Sequence, residues 1–209
     1  MILPIDVALA FFGTAVLLAL APGPDSLFVL SQSALYGARA GVCTTLGLTS
    51  GLVVHTTVVA LGVAVLFQTS AVALTLLKAA GAGYLLYLAW LSFRTGAVLS
   101  STGKAAFPGY RALYRRGIIM NVTNPKVTLF FLAFLPQFCD PARGSVAVQV
   151  GTLGALFMLA TLLVFSSIAV AGGAITARFN RSQKAQILLH RCAGAVFIGM
   201  AILLLFAHA

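Results

Sequence analysis

A chain of 209 residues that is 61% hydrophobic and only 8% charged has too little polar surface to close as a soluble domain, and its mean hydropathy of +1.07 says the same. The net charge of +10 does not indicate a nucleic-acid partner, because the basic residues lie between apolar stretches, where they face an anionic cytoplasmic leaflet. Cys43, Cys139 and Cys192 form no CxxC and no metal-ligand spacing, so neither a metal nor a cofactor is expected.

In chain order the pattern predicts an all-α polytopic membrane protein of six spans. The N-terminus lacks a basic region, carries Asp6 and runs into a Pro-Gly-Pro sequence, so it reads as a span and not as a cleaved signal. The first span covers about Val7 to Ala38 and is interrupted at Pro22-Gly23-Pro24. The second covers Gly41 to Phe67 and contains His55. An uncharged turn around Gln68-Thr69-Ser70 leads to the third, about Ala71 to Phe93. A basic segment from Arg94 to Arg116 follows. The fourth span, Gly117 to Phe138, is broken at Asn124-Pro125 and ends at Cys139-Asp140-Pro141. The fifth is about Val146 to Ala177. A second basic segment reaches Arg191, and the sixth span is about Cys192 to Ala207.

The connections after spans one, three and five carry Arg39, then Arg94, Lys104, Arg111, Arg115 and Arg116, then Arg178, Arg181, Lys184 and Arg191. The opposite side has only Arg143. Those three connections are therefore expected in the cytoplasm, with both termini periplasmic.

A shift of 101 residues lays Pro24-Asp25 on Pro125-Lys126. Lys78-Ala79-Ala80-Gly81-Ala82-Gly83-Tyr84-Leu85 in the third span is echoed by Arg191-Cys192-Ala193-Gly194-Ala195-Val196-Phe197-Ile198 in the sixth. A repeat of three spans inverts the second copy relative to the first. The expected architecture is one transport domain over residues 1–209, with repeat 1 at about 1–94, a cytoplasmic loop at about 95–116 and repeat 2 at about 117–209. Inverted repeats of this kind place their binding site near the bilayer midplane, at discontinuous helices.

The breaks at Pro22, Gly23, Pro24 and Pro125 each leave one charge deep in the bilayer, at a cost of roughly 3 kcal/mol on insertion scales. Asp25 stands 14 residues before Arg39, roughly 21 Å along a helix. Burial and a nearby cation pull its ionisation in opposite directions, which suits proton coupling. It can instead be a structural partner of Lys126, or the N-cap of the half-helix after Pro24. Lys126, at the positive end of a half-helix, suits a substrate carboxylate; an ion pair with Asp25 that only holds the breaks together is the alternative. Asn121 and Asn124 either satisfy backbone groups freed by the break or bond a ligand. Asn121-Val122-Thr123 has the form of a glycosylation sequon, but lies inside an apolar span. His55 is a packing residue or a proton relay. Lys78 snorkels to the outer interface or, with Tyr84 and Tyr87 on the same span, lines the cavity. The GxxxG spacings Gly37/Gly41 and Gly47/Gly51 are expected to pack helices, and Phe130, Phe131 and Phe134 to face lipid or core. Ala- and Gly-rich faces on spans three and six permit a homodimer.

These features, in this order, resemble the LysE/RhtB family of bacterial amino-acid exporters. The resemblance rests on Pro22-Gly23-Pro24-Asp25, Gly37-Ala38-Arg39-Ala40-Gly41, the second span with Gly47, Gly51 and His55, Lys78 to Leu88, and Asn121-Val122-Thr123-Asn124-Pro125-Lys126. Its strong motifs cover residues 22 to about 138; the last third matches by hydropathy. It implies an exporter, not an enzyme, in the bacterial inner membrane, moving amino acids or close derivatives and driven by a proton or other ion gradient. With one acid in the spans, a neutral zwitterion such as threonine, homoserine or leucine fits better than lysine, its amine at Asp25 and its carboxylate at Lys126. Two other classes compete: a transmembrane thiol carrier, which needs a cysteine pair at the breaks, and an assembly factor without transport.

Overall fold

The first apolar stretch folds as two helices, α1 (Ile5–Leu20) and α2 (Pro24–Tyr36), bent by 58°. Proline chemistry causes the bend. Pro22 has no N–H to offer the Leu18 carbonyl four residues back, and its ring crowds the preceding turn. Pro24 then opens α2 at a position where a missing N–H costs nothing. Ala21–Gly23 run extended between the two helices. α2 stops at Gly37, whose φ of 88° favours glycine.

A computed structural model describes residues 3–69, 71–94, 106–179 and 183–206 of the chain, and among them there are helices and turns but no strands. After Gly37 come α3 (Ala38–Thr69) and α4 (Ala71–Arg94). The second half repeats the order. α5 (Tyr110–Val122) and α6 (Pro125–Leu129) meet at Thr123-Asn124; α6 continues through a π-helical turn, Phe130–Phe134, and a 3-10 turn, Leu135–Phe138. This second pair is bent by 48°. α7 (Val146–Phe179) and α8 (Gln183–Phe206) complete the chain.

α3, α4 and α7 are each long and apolar enough to cross a bilayer, over Ala38–Gly62, Thr75–Arg94 and Val146–Gly172. Each bent pair passes the same test when its arms are joined, and the apolar stretch of α8, His190–Phe206, is shorter. The protein is an all-α polytopic membrane protein. Two boundaries differ from expectation. α5 starts at Tyr110, so Arg111, Arg115 and Arg116 are helical and not in a loop; α8 starts at Gln183, ahead of the expected Cys192. In both cases the basic side chains tolerate helix while hiding it from a hydropathy reading. Ser70, Lys104 and Arg181 lie outside the described residues.

α3 runs along both α5 and α7, α1 along α7, and α4 along α8. α3 and α5 touch backbone to backbone. A Cβ on Gly117 would stand 2.6 Å from the Thr44 carbonyl oxygen, and one on Gly47 would collide with the carbonyl of Tyr114. Gly47 and Gly51 thus pack as their spacing suggested. Gly37 does not: a Cβ there meets nothing within 4 Å, and its role is the turn between α2 and α3. Gly81 of α4 faces Ala133 and Gly194 of α8 faces Phe93, so these small residues serve contacts within the chain. Phe130, Phe131 and Phe134 are core, not lipid surface; with Phe11 and Phe157 they form a buried aromatic cluster at centroid distances such as 5.0 Å for Phe130–Phe134.

Candidate functional site

The two breaks meet in the interior, and each proline leaves one carbonyl orphaned. At the first break the Leu18 carbonyl has lost its partner to Pro22. Lys126 reaches across from α6, and its Nζ donates to the Leu18 carbonyl at 2.8 Å and to the Ala21 carbonyl at 2.9 Å. At the second break Pro125 orphans the Asn121 carbonyl. That oxygen accepts from the backbone N–H of Asn124 at 3.0 Å and pairs with Nε2 of His55, from α3, at 3.1 Å. A carbonyl can only accept, so this His55 nitrogen carries a proton. The Asn124 side chain caps α6, accepting from the Lys126 backbone N–H at 3.0 Å.

Asp25 lies in the first turn of α2 and is 5% exposed. It is not the N-cap of that helix. Gly23 holds that place, and Ser26 serves it, its hydroxyl accepting from the Gly23 N–H at 3.0 Å and donating to the Gly23 carbonyl at 3.2 Å. Asp25 Oδ2 accepts from Asn121 Nδ2 at 3.0 Å, whereas Oδ1 has no hydrogen-bond partner. The ion pair with Lys126 considered from sequence does not form. The Lys126 ammonium is instead held by the carbonyls at the end of α1.

Two cavities meet at this junction. The smaller, about 30 Å³, is lined by Asp25, Ser26, Asn121 and Thr161, with Phe157 and Phe165 behind. The larger, about 530 Å³, lies between the breaks and the α4–α8 pair, lined by Pro22, Pro24 and Pro125, by Tyr84, Tyr87 and Ser92, and by His190 and Phe197. Gly23, Asn124 and Lys126 line both. The larger volume is in the range of small-molecule sites; the smaller admits only water-sized groups. Lys126 Nζ also sits 5.3 Å from the centre of the Phe197 ring.

Asp25, Lys126, Asn121, Asn124 and the break prolines are thus brought together, with Tyr84 and Tyr87 on the wall of the larger cavity. His55 lines neither cavity but holds the second break and packs on Phe131. Half-buried Lys78 lines neither. Asn121 is 1% exposed with its amide engaged, which leaves no acceptor for a glycan. Sequence reasoning missed Thr161 and His190. Thr161 is a lone hydroxyl inside the apolar run Leu159-Ala160-Thr161-Leu162-Leu163, a visible if weak signal; His190 was hidden in a basic segment.

The family model for LysE-type translocators matches residues 16–208. An uncharacterized membrane protein of Vibrio cholerae serotype O1 is 34% identical over 98% of this chain and 99% of its own length. Homoserine/homoserine lactone efflux proteins of Salmonella typhimurium and Salmonella typhi are 31% and 30% identical, each over 95% of this chain and 96% of theirs. No solved structure matches the chain.

Proposed function

This chain belongs to the LysE-type translocator family, and on that premise we propose that it is a proton-coupled exporter of small zwitterionic amino acids or close derivatives across the bacterial inner membrane. Homoserine, threonine and leucine are the candidate substrates, and the homoserine/homoserine lactone efflux relatives favour the first. The substrate binds where the two halves meet, its amine toward Asp25 and its carboxylate toward Lys126. The halves, residues about 1–94 and 117–209, act as inverted repeats, with both termini in the periplasm.

The observation that carries this reading is the position of Lys126, Gly23 and Asn124 on the shared wall of the two cavities. A cavity of substrate size ends on a lysine, and the buried Asp25 lines the smaller cavity behind it. Lys126 Nζ has three N–H groups and gives two to carbonyls, so one remains for a carboxylate. The thiol-carrier alternative gains no support, since no cysteine lines either cavity.

The test is efflux of radiolabelled homoserine from lipid vesicles containing the purified protein, with and without an opposing proton gradient. Wild type should show gradient-driven efflux. Asp25→Asn should remove the dependence on the gradient while the protein stays monodisperse. Coupled efflux at the wild-type rate in Asp25→Asn would exclude Asp25 from the mechanism.

A further inference from the structure

We infer that the small cavity beside Asp25 is a seat for the primary ammonium group of the transported molecule, with the Asp25 carboxylate and the Thr161 hydroxyl as its acceptors, and that its size excludes N-substituted amines. The inference rests on the export reading and names the part of the substrate that this site selects.

The argument is an inventory of the polar groups on the cavity wall. Ser26 is engaged with the Gly23 backbone, and Asn124 Oδ1 with the Lys126 N–H. Lys126 Nζ is turned to the Leu18 and Ala21 carbonyls. Asn121 gives its N–H to Asp25 Oδ2; its Oδ1 lies against Gly51, where an added Cβ would stand 2.8 Å away. Three acceptors remain. Asp25 Oδ1 and Asn121 Oδ1 have no partner, and the Thr161 hydroxyl makes no hydrogen bond among the described residues. Thr152 and Ser167 on the same helix return their hydroxyls to the carbonyls of Val148 and Leu163, at 2.9 and 2.7 Å. Thr161 does not. All three residues are more than nine-tenths buried, at 5%, 1% and 3% exposure.

An occupant that satisfies these groups donates at least twice, is compatible with a carboxylate, and fits about 30 Å³. A primary ammonium does all three. A carboxylate donates nothing and is repelled by Asp25; its place is the Lys126 side, where the larger cavity begins. An N-acyl group removes the charge and one or more donors, and adds bulk with no room to receive it. Because the remaining molecule lies in the larger cavity, an amide or a lactone at the carboxyl end has room there and keeps a carbonyl oxygen for the Lys126 N–H.

The experiment is competition against radiolabelled homoserine uptake into homoserine-preloaded vesicles containing the full chain. N-acetylhomoserine should compete at least about 30-fold more weakly than homoserine, since a buried carboxylate would be left unpaired. Homoserine amide and homoserine lactone keep the amine and a carbonyl oxygen for Lys126, so they should compete better than N-acetylhomoserine, within about 10-fold of homoserine. Thr161→Ala, which enlarges the cavity and removes an acceptor, should weaken homoserine and narrow the gap to N-methylhomoserine; a purely structural role would lower both equally. If N-acetylhomoserine competes as well as homoserine, or if competition follows sodium concentration and not N-substitution, the ammonium seat is wrong. If no amino acid exchanges at all, the export reading falls and takes the seat with it.

Discussion

The two breaks are built alike and repaired differently. Each has a proline that removes one helical donor and orphans the carbonyl four residues earlier, Leu18 in one case and Asn121 in the other. The first orphan is satisfied by the ammonium of Lys126, a residue of the second break. The second is satisfied locally by Asn124 and by His55 from α3. The asymmetry extends to the side chains: Asn121 of the second break donates to Asp25 of the first. All the hydrogen bonds between the breaks run one way, with donors from the second and acceptors from the first. An acid at one break and a base at the other therefore do more than balance charge. It makes the first break depend on the second, while the second stands on its own.

That dependence can be broken experimentally. Lys126→Met leaves two carbonyls without a donor inside an apolar setting and should cost about 3 kcal/mol, read as a lowered unfolding temperature in detergent, with efflux abolished. An unchanged unfolding temperature would mean that the first break does not lean on the second. His55→Leu removes only one of two donors to the Asn121 carbonyl and should cost about 1–2 kcal/mol, with residual efflux. A loss as large as that of Lys126→Met would erase the asymmetry. The caps come last. Asn124→Ala should cost about 1 kcal/mol in the same assay, and Ser26→Ala, whose hydroxyl serves only the Gly23 backbone, somewhat less.

The breaks were legible in the amino-acid order because proline acts through covalent structure: Pro22 and Pro125 lack an N–H in any environment. Hydropathy located the long apolar helices, of which three, or five with each bent pair counted as one, are long and apolar enough to cross a bilayer, and the matching positions of Asp25 and Lys126 pointed to the cavity wall that both line. The partner of each orphaned carbonyl was not legible. Lys126 answers Leu18 and Ala21, not Asp25, because α6 crosses the end of α1, and that crossing depends on packing between elements far apart in the chain. Asn121 and Asn124 illustrate the limit well: Asn124 takes the backbone-repair role left open for both, capping α6, whereas Asn121 donates to Asp25, a partner that no local pattern names. Thr161 escaped because a threonine in an apolar helix ordinarily closes on its own backbone. The starts of α5 and α8 were lost under arginines and lysines that a hydropathy scale reads as loop.

The glycine crossing of α3 and α5 has a mechanical side. Two helices that meet through bare backbone are held at one close spacing, since any Cβ at Gly47 or Gly117 would drive them apart. Asn121 is carried on α5 directly, and Lys126 follows one turn beyond its end. The opposite wall, toward α4 and α8, is a 530 Å³ space and not packed backbone. The second break is thus braced on its α3 side and open on the other.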